Sequence, residues 1–288
     1  MARKVLLPEA VALFPGKVHL PPPLKWAGGK RWLVPLLATL YSPYNGLRLV
    51  EPFVGGMAVA LGILPDKALL GDINQHLINF YKQLQKGLVI DTEMRNEERH
   101  YYKARERFNE LIRKQKAGSK EAAELFYYLN RTGFNGLCRF NKKGEFNVPF
   151  GRYKNINYRR DFSEYAAVLS RYDIIVSDFR SFPFEESDFV YADPPYDVEF
   201  TSYSAGGFSF EDQTDLAVRL SRHPGPVLIS NQSTKRIIEL YGDLGFALHY
   251  LSAPRRISCN GDRTPAQEVL AVKGFDRRII EKARLLSR

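Results

Sequence analysis

Short apolar runs alternate with helix-period segments along most of this chain, and that rhythm restricts its fold more than any other feature of the sequence. Runs at 47–50, 67–70, 173–176, 188–191, 226–229, 246–251 and 267–272 are bounded by turn or charged residues, so each predicts a strand. Between several of them, segments 30–41, 57–64, 74–86, 161–170, 212–222 and 233–241 carry the spacing of amphipathic helices. Strands joined through helices return parallel, which predicts an α/β fold with a largely parallel sheet.

Residues 88–160 break the rhythm. They hold a charged helical stretch at 95–116, the loop Ala117-Gly118-Ser119 and an apolar helix at 120–131. The segment 132–158 follows, rich in Asn, Gly, aromatic and basic residues, with Asn141-Lys142-Lys143-Gly144-Glu145 reading as a turn between two extended arms. The expected organisation is therefore an extension at 1–23, a main domain from 24–87 and 161–288, and an inserted unit at 88–160. The extension ends in the stiff Pro21-Pro22-Pro23 and is expected to be loosely held.

Charge narrows the partners. Among 288 residues, 42 Lys and Arg face 32 Asp and Glu, a net charge of +10 that points first to a polyanion. Nucleic acid leads and an anionic membrane surface trails. The basic, aromatic 132–158 segment suits nucleic-acid contact, and an ordinary solvated loop equally. Cys138 and Cys259 are too few for a disulfide framework or a four-ligand zinc site, so no metal is expected and a reducing cytoplasm is the expected location. Pro8, Glu9, Pro15 and Lys17 interrupt what would have to be a signal peptide, and no stretch has the apolar length of a membrane span.

Three segments carry chemistry. Asp193-Pro194-Pro195-Tyr196 follows the strand at 188–191, where crevices open in α/β sheets. Its two prolines lack N–H groups, so the turn offers carbonyls and the Asp193 carboxylate to a ligand that donates hydrogen bonds, as an exocyclic amine does. If that amine is N6 of adenine, Asp193 and the Pro194 carbonyl would accept its two protons, and Tyr196 would stack on the base. A proline-stiffened strand end with a helix cap is the plainer alternative. Glu51-Pro52-Phe53-Val54-Gly55-Gly56 joins a strand to a helix, its glycines permitting close backbone approach; Asp72, ending the next strand, can accept two ribose hydroxyls. A tight turn and a capping Asp would explain the same residues. Lys25-Trp26-Ala27-Gly28-Gly29-Lys30 lacks the spacing of a P-loop. Trp26 could lie beside a cation and Lys30 could meet a cofactor carboxylate at a helix N-terminus, or Trp26 could be a surface aromatic.

The order of these segments, with Asp72-Ile73-Asn74 and the stretch 130–151 between them, resembles the Dam-type adenine-N6 DNA methyltransferases over most of residues 24–273. Later pieces fit as well: Phe200-Thr201-Ser202-Tyr203, Phe208 to Gln213, Leu228-Ile229-Ser230-Asn231, and Arg255-Arg256-Ile257-Ser258 with Asn260-Gly261. The resemblance implies a Rossmann-like S-adenosylmethionine-dependent methyltransferase fold acting on double-stranded DNA. Trp26, Lys30, Glu51, Phe53, Gly55, Asp72 and Asp193 would line the cofactor site, with Asp193, Pro194, Pro195 and Tyr196 catalytic. It also implies a recognition hairpin beginning at Asn130, with Arg131, Phe134, Asn135, Leu137, Arg139 and Pro149 facing DNA and GATC as the common family target.

Physics adds detail to that implication. N6 is out of reach inside a duplex, so the base must be extruded. Phe134 could fill the gap or pack in the core, while Arg139 carries the donor fork that fits guanine or a phosphate. Met57 departs from the small residue usual in the family and is expected to reshape the pocket near the methionine moiety. Two other functions remain on the residues alone, adenine methylation in structured RNA and a non-catalytic DNA-binding protein. No obligate protein partner is expected.

Overall fold

A computed structural model describes residues 20–197, 207–254 and 266–284. Five strands form a parallel array: β1 (Leu49–Glu51), β2 (Ala68–Asp72), β3 (Tyr172–Val176), β4 (Phe189–Ala192) and β5 (Val227–Gln232). β6 (Ala247–Ala253) and β7 (Ala266–Lys273) complete a sheet of order β3-β2-β1-β4-β5-β7-β6, with β7 antiparallel to both neighbours. All seven expected strands are present, with ends shifted by at most three residues.

Alternation within each strand builds two cores. Leu49, Leu70, Tyr191 and Leu228 join the larger cluster, and Val50, Leu69, Val190 and Ile229 join the other. Strands buried on both faces read as continuous apolar runs, which is why they were legible without a polar face. The helices α1 (Val34–Tyr41), α2 (Ala58–Ile63), α3 (Gln75–Gln85), α6 (Ser163–Leu169), α7 (Phe210–Ser221) and α8 (Lys235–Asp243) match the expected segments. Asn74 caps α3 by accepting from the backbone of His76 and Leu77, and Ser209 with Asp212 forms a capping box on α7.

Two ends differ from expectation. α1 begins at Val34 because Pro35, without an N–H, sits comfortably only in a first turn; residues 30–33 form a separate turn closed by Leu33 N–H donating to the Lys30 carbonyl. The last residues of the 1–23 extension are not loose. Leu20 is buried and the Tyr165 hydroxyl donates to the Pro21 carbonyl at 2.5 Å. A helix the sequence pattern did not suggest, α9 (Arg277–Arg284), packs on α1.

Within 88–160, α4 (Glu98–Arg113) and α5 (Lys120–Thr132) pack together, and α5 lies on α3. The turn at 141–145 is present, with the Asn141 carboxamide oxygen accepting from Lys143 and Glu145 backbone N–H groups. Its arms do not form a continuous ladder. They meet through isolated bridges Phe140↔Phe146 and Gly133↔Phe150, because α4 takes over the return arm. Asn109 donates to the Phe146 carbonyl and accepts its N–H, and Tyr101 donates to the Val148 carbonyl.

The chain runs outward from β1 through β2 to β3, then crosses back to place β4 on the other side of β1. Ligand crevices form outside the carboxyl ends of strands at such a reversal, so Glu51 and Asp193 emerge side by side. At the opposite ends of these strands Arg48 meets the fully buried Asp188 carboxylate through two hydrogen bonds, 2.8 and 2.9 Å. Replacing Arg48 by Ala strands that charge and should lower stability by about 3–5 kcal/mol in urea denaturation.

Candidate active site

A cavity of about 760 Å³ opens at the reversal, lined by the Trp26–Lys30 loop and by residues following β1, β2, β3 and β4. Every residue expected at the cofactor site lines it: Trp26, Lys30, Glu51, Phe53, Gly55, Asp72 and Asp193. Pro194, Pro195 and Tyr196 line it too.

Lys30 sits at its centre, almost wholly buried. Its ammonium lies 3.0 Å from one Asp193 oxygen and 4.0 Å from Glu268, and donates to the Gly28 carbonyl at 2.9 Å. The expected placement of Lys30 at a helix N-terminus is corrected: α1 starts only at Val34, and the ammonium meets Asp193. The other Asp193 oxygen accepts from the Ser230 hydroxyl at 2.7 Å, and Ser230 is in turn 3.0 Å from the Tyr191 hydroxyl. Burial raises the Asp193 carboxyl above the usual range, with Lys30 and Ser230 opposing the shift.

Tyr196 is placed differently from the simple expectation of a ring free to stack. The Lys30 ammonium stands 4.7 Å from its ring centroid, a cation–π contact. Burial, then the charges of Asp193 and Glu268, raise its hydroxyl far above the ordinary value, so it stays neutral. The Pro195 carbonyl accepts from Gln213 at 2.7 Å, so this acceptor is used within the protein.

Glu51 is 2% exposed, and its Oε1 has no hydrogen-bond partner. Burial pushes its carboxyl up to about 8; the Ala60 N–H opposes the shift and the Asp193 charge adds to it. Asp72 accepts from the N–H groups of Gly55 at 3.2 Å and Asn74 at 2.9 Å, although burial holds its carboxyl above the usual range. The glycine pair has a packing cause: a Cβ on Gly55 would meet Trp26 Nε1 at 2.7 Å, and one on Gly56 would meet Trp26 Cβ at 2.9 Å. Trp26 thus lies on the turn and is no isolated surface aromatic.

Met57 does not reshape the cavity. It is absent from the cavity lining, wholly buried in the larger core, and begins α2 with φ 58°, a left-handed conformation that favours glycine. Ser177, Asp178, Phe179 and Arg180 line the cavity and escaped the sequence reading, and so did Glu268, 4.0 Å from the Lys30 ammonium. Glu268 lies on β7, reached only when that strand pairs with β5. Ser177, Asp178 and Phe179 follow β3 and line the cavity, and their position just past a strand end was an available signal. Phe179 packs with Phe53 and Phe208, ring centroids 5.2–5.8 Å apart.

The sequence comparisons agree with this geometry. Residues 26–257 match the family described as D12 class N6 adenine-specific DNA methyltransferase. The chain belongs to that family. A retron Ec67 DNA adenine methylase of Escherichia coli is 38% identical over 266 residues, covering 87% of this chain and 90% of the relative. A DNA adenine methylase of Vibrio cholerae is 39% identical over 270 residues, covering 86% and 94%. A type II methyltransferase of Lactococcus lactis subsp. cremoris is 36% identical over 260 residues, covering 83% and 90%. This protein is an adenine-specific DNA methyltransferase.

The residues expected to face DNA divide by placement. In the methyltransferase Phe134 is 47% exposed, so core packing is not its role. Its N–H donates to the Pro149 carbonyl at 2.9 Å, which puts Phe134 beside the exposed Pro149. Arg139 is exposed and braced by Asn147 at 2.8 Å; Leu137 is half-buried against the larger core. Asn135 adopts φ 51° in the turn, and the Arg131 guanidinium donates to the Asn157 carbonyl at 2.5 Å.

Two bridges tie this segment to the cavity loops. Lys25 exchanges backbone hydrogen bonds with the Asn130 side chain at 2.9 and 2.8 Å, and Asn74 donates to the Cys138 thiol at 3.3 Å. The motif pieces Phe200-Thr201-Ser202-Tyr203, Arg255-Arg256-Ile257-Ser258 and Asn260-Gly261, with Cys259, lie outside the described residues.

A carboxyl raised by folding stabilises the protein fully below its unfolded value and loses that contribution as pH climbs through the folded value. For Glu51 the loss spans its ordinary value of 4.5 to about 8. Glu51→Gln should therefore melt above the wild type near the upper end of that window, the gap closing toward the lower end, in thermal scans across pH.

Proposed function

We propose that this methyltransferase transfers a methyl group from S-adenosylmethionine to N6 of a specific adenine in double-stranded DNA, extruding the target base, with GATC as the candidate site. The observation carrying the reading is the Asp193 carboxylate, fixed by Lys30 and Ser230 at the head of the cavity between β1 and β4.

The residues present suit the cofactor. Trp26 offers an aromatic face, and the carboxyl groups of Glu51 and Asp193 offer oxygen atoms, to a sulfonium cation. The unpartnered Glu51 oxygen is an acceptor awaiting a donor, Asp72 offers a carboxylate for ribose hydroxyls, and Phe53, Phe179, Phe208 and the 71%-exposed Ile73 supply apolar surface for an adenine ring. When bound, S-adenosylmethionine supplies an electrophilic methyl group.

The chain's own part is to prepare the amine. Asp193 accepts one N6 proton in a hydrogen bond and the Pro194 carbonyl accepts the other, which localises the nitrogen lone pair and stabilises the positive charge that develops on attack. Lys30 and Ser230 orient Asp193 and favour its ionised form against the effect of burial. Tyr196, pinned by Lys30, forms a wall for the base. The proton finally lost from nitrogen leaves to solvent.

Residues 88–160 form the proposed target-recognition unit. Phe134 beside Pro149 is placed to enter the stack where the adenine leaves, and Arg139, with Leu137, to read the major groove; Asn135 and Arg131 hold the turn behind them. The cytoplasm is the proposed location.

Asp193→Ala should lower turnover at least ~100-fold in a radiolabelled methyl-transfer assay while leaving DNA affinity near wild type, since it deletes a transition-state contact. Wild-type turnover in that variant would refute the role. Arg139→Ala should relax discrimination at one base pair by about 1–3 kcal/mol, seen by base-resolved mapping of methylated plasmid DNA. S-adenosylmethionine at 100 times its Kd should stabilise the protein by about 2.7 kcal/mol in denaturation experiments.

A further inference from the structure

We propose that Gln213 and Asn231, a buried amide pair behind the corner 193–197, are positioning residues for methyl transfer that set the pitch of the corner's backbone. The inference rests on the catalytic assignment of that corner and concerns residues that contact neither substrate nor cofactor.

The need for such a pair follows from the prolines. Pro194 and Pro195 have no N–H to donate to a neighbouring strand, so the corner cannot brace itself as an ordinary strand end does. Donors must arrive from side chains. Gln213 on α7 donates to the Pro195 carbonyl at 2.7 Å, and its own carbonyl accepts from Asn231 Nδ2 at 3.0 Å. Asn231, at the carboxyl end of β5, also donates to the Tyr241 hydroxyl at 3.1 Å and accepts from the Gln232 N–H at 2.8 Å and the Asp197 N–H at 3.4 Å. Both amides are shut off from solvent. Beyond them Asp197 is gripped by Arg236 and by the Thr234 hydroxyl at 3.1 Å. Helix α7, strand β5 and helix α8 thus converge on residues 195–197, where an error of about 1 Å at the reacting centre can cost ~100-fold in rate.

An amide is required at 213 because its two ends do opposite work, one donating and one accepting. A carboxyl there can make both contacts only while protonated; once ionised it sets oxygen against the Pro195 carbonyl. The titratable and charged groups around the position are Asp193 with Lys30 on the cavity side, Tyr196 on the corner, and Tyr241 and the Arg236–Asp197 pair on the α8 side. Asp212, the preceding residue, is occupied by Ser209 and Arg180.

The test compares wild type, Gln213→Ala, Gln213→Glu and Asp193→Ala in steady-state methyl transfer between about pH 5.5 and pH 8, with thermal melts of each. Gln213→Ala should lose about 10- to 100-fold in kcat with KM for S-adenosylmethionine within about twofold. Gln213→Glu should be equally impaired at high pH and recover kcat relative to wild type as pH falls, a trend that general destabilisation would not produce. Should Asp193→Ala be inactive while both Gln213 variants keep wild-type kcat, or should the Gln213→Glu deficit be the same at every pH, the positioning role is overturned. Full turnover in Asp193→Ala would instead overturn the assignment of the corner itself.

Discussion

The ammonium of Lys30 is the point on which this active site balances. The fold brings Glu51, Asp193 and Glu268 to one poorly solvated junction, and carboxylates so placed repel one another and resist ionisation. One buried cation, bonded to Asp193 and close to Glu268, opposes the upward shift that burial imposes on Asp193. The same cation fixes the Tyr196 ring from above. The carboxyl of Glu51, with no such cation beside it among the described residues, is raised by burial to about 8.

Around that balance, the architecture separates chemistry from reading without isolating them. The cavity belongs to strand ends and to the Trp26 loop; the proposed DNA-reading surface belongs to the segment supported by α4 and α5. Yet Lys25, next to Trp26, is clamped to Asn130, and Asn74, two residues from Asp72, reaches Cys138. A shift of the 130–138 segment is therefore mechanically linked to the loops lining the cavity, through polar bonds that are costly to break when half-buried.

Much of the fold was legible because strands buried on both faces leave apolar runs whose length and punctuation survive in the sequence. The start of α3 fell within one residue of expectation, where Asn74 caps it; α7 begins two residues earlier than expected, capped by Ser209, and Pro35 delays α1. Asp193, Gly55 and Asp72 were found because strand-end position coincided with proline, glycine or carboxylate chemistry, whereas Ser177, Asp178 and Phe179, with position alone, were missed. Trp26 was ambiguous until its ring was seen on Gly55 and Gly56, and Phe134 until its exposure was known. Glu268 was invisible, since a lone Glu in an apolar strand carries no motif.

The sequence by itself determined the succession of strands and helices, the acceptor-only corner and the family, because periodicity, proline chemistry and motif order are local properties of the chain. Only the tertiary structure decided which charge faces which. The partner of Lys30, the isolation of Glu51, the arrival of Glu268 and the Gln213–Asn231 brace all join residues far apart in sequence. Their energies depend on burial and on distances of a few ångströms, quantities that exist only once the sheet has closed in its observed order.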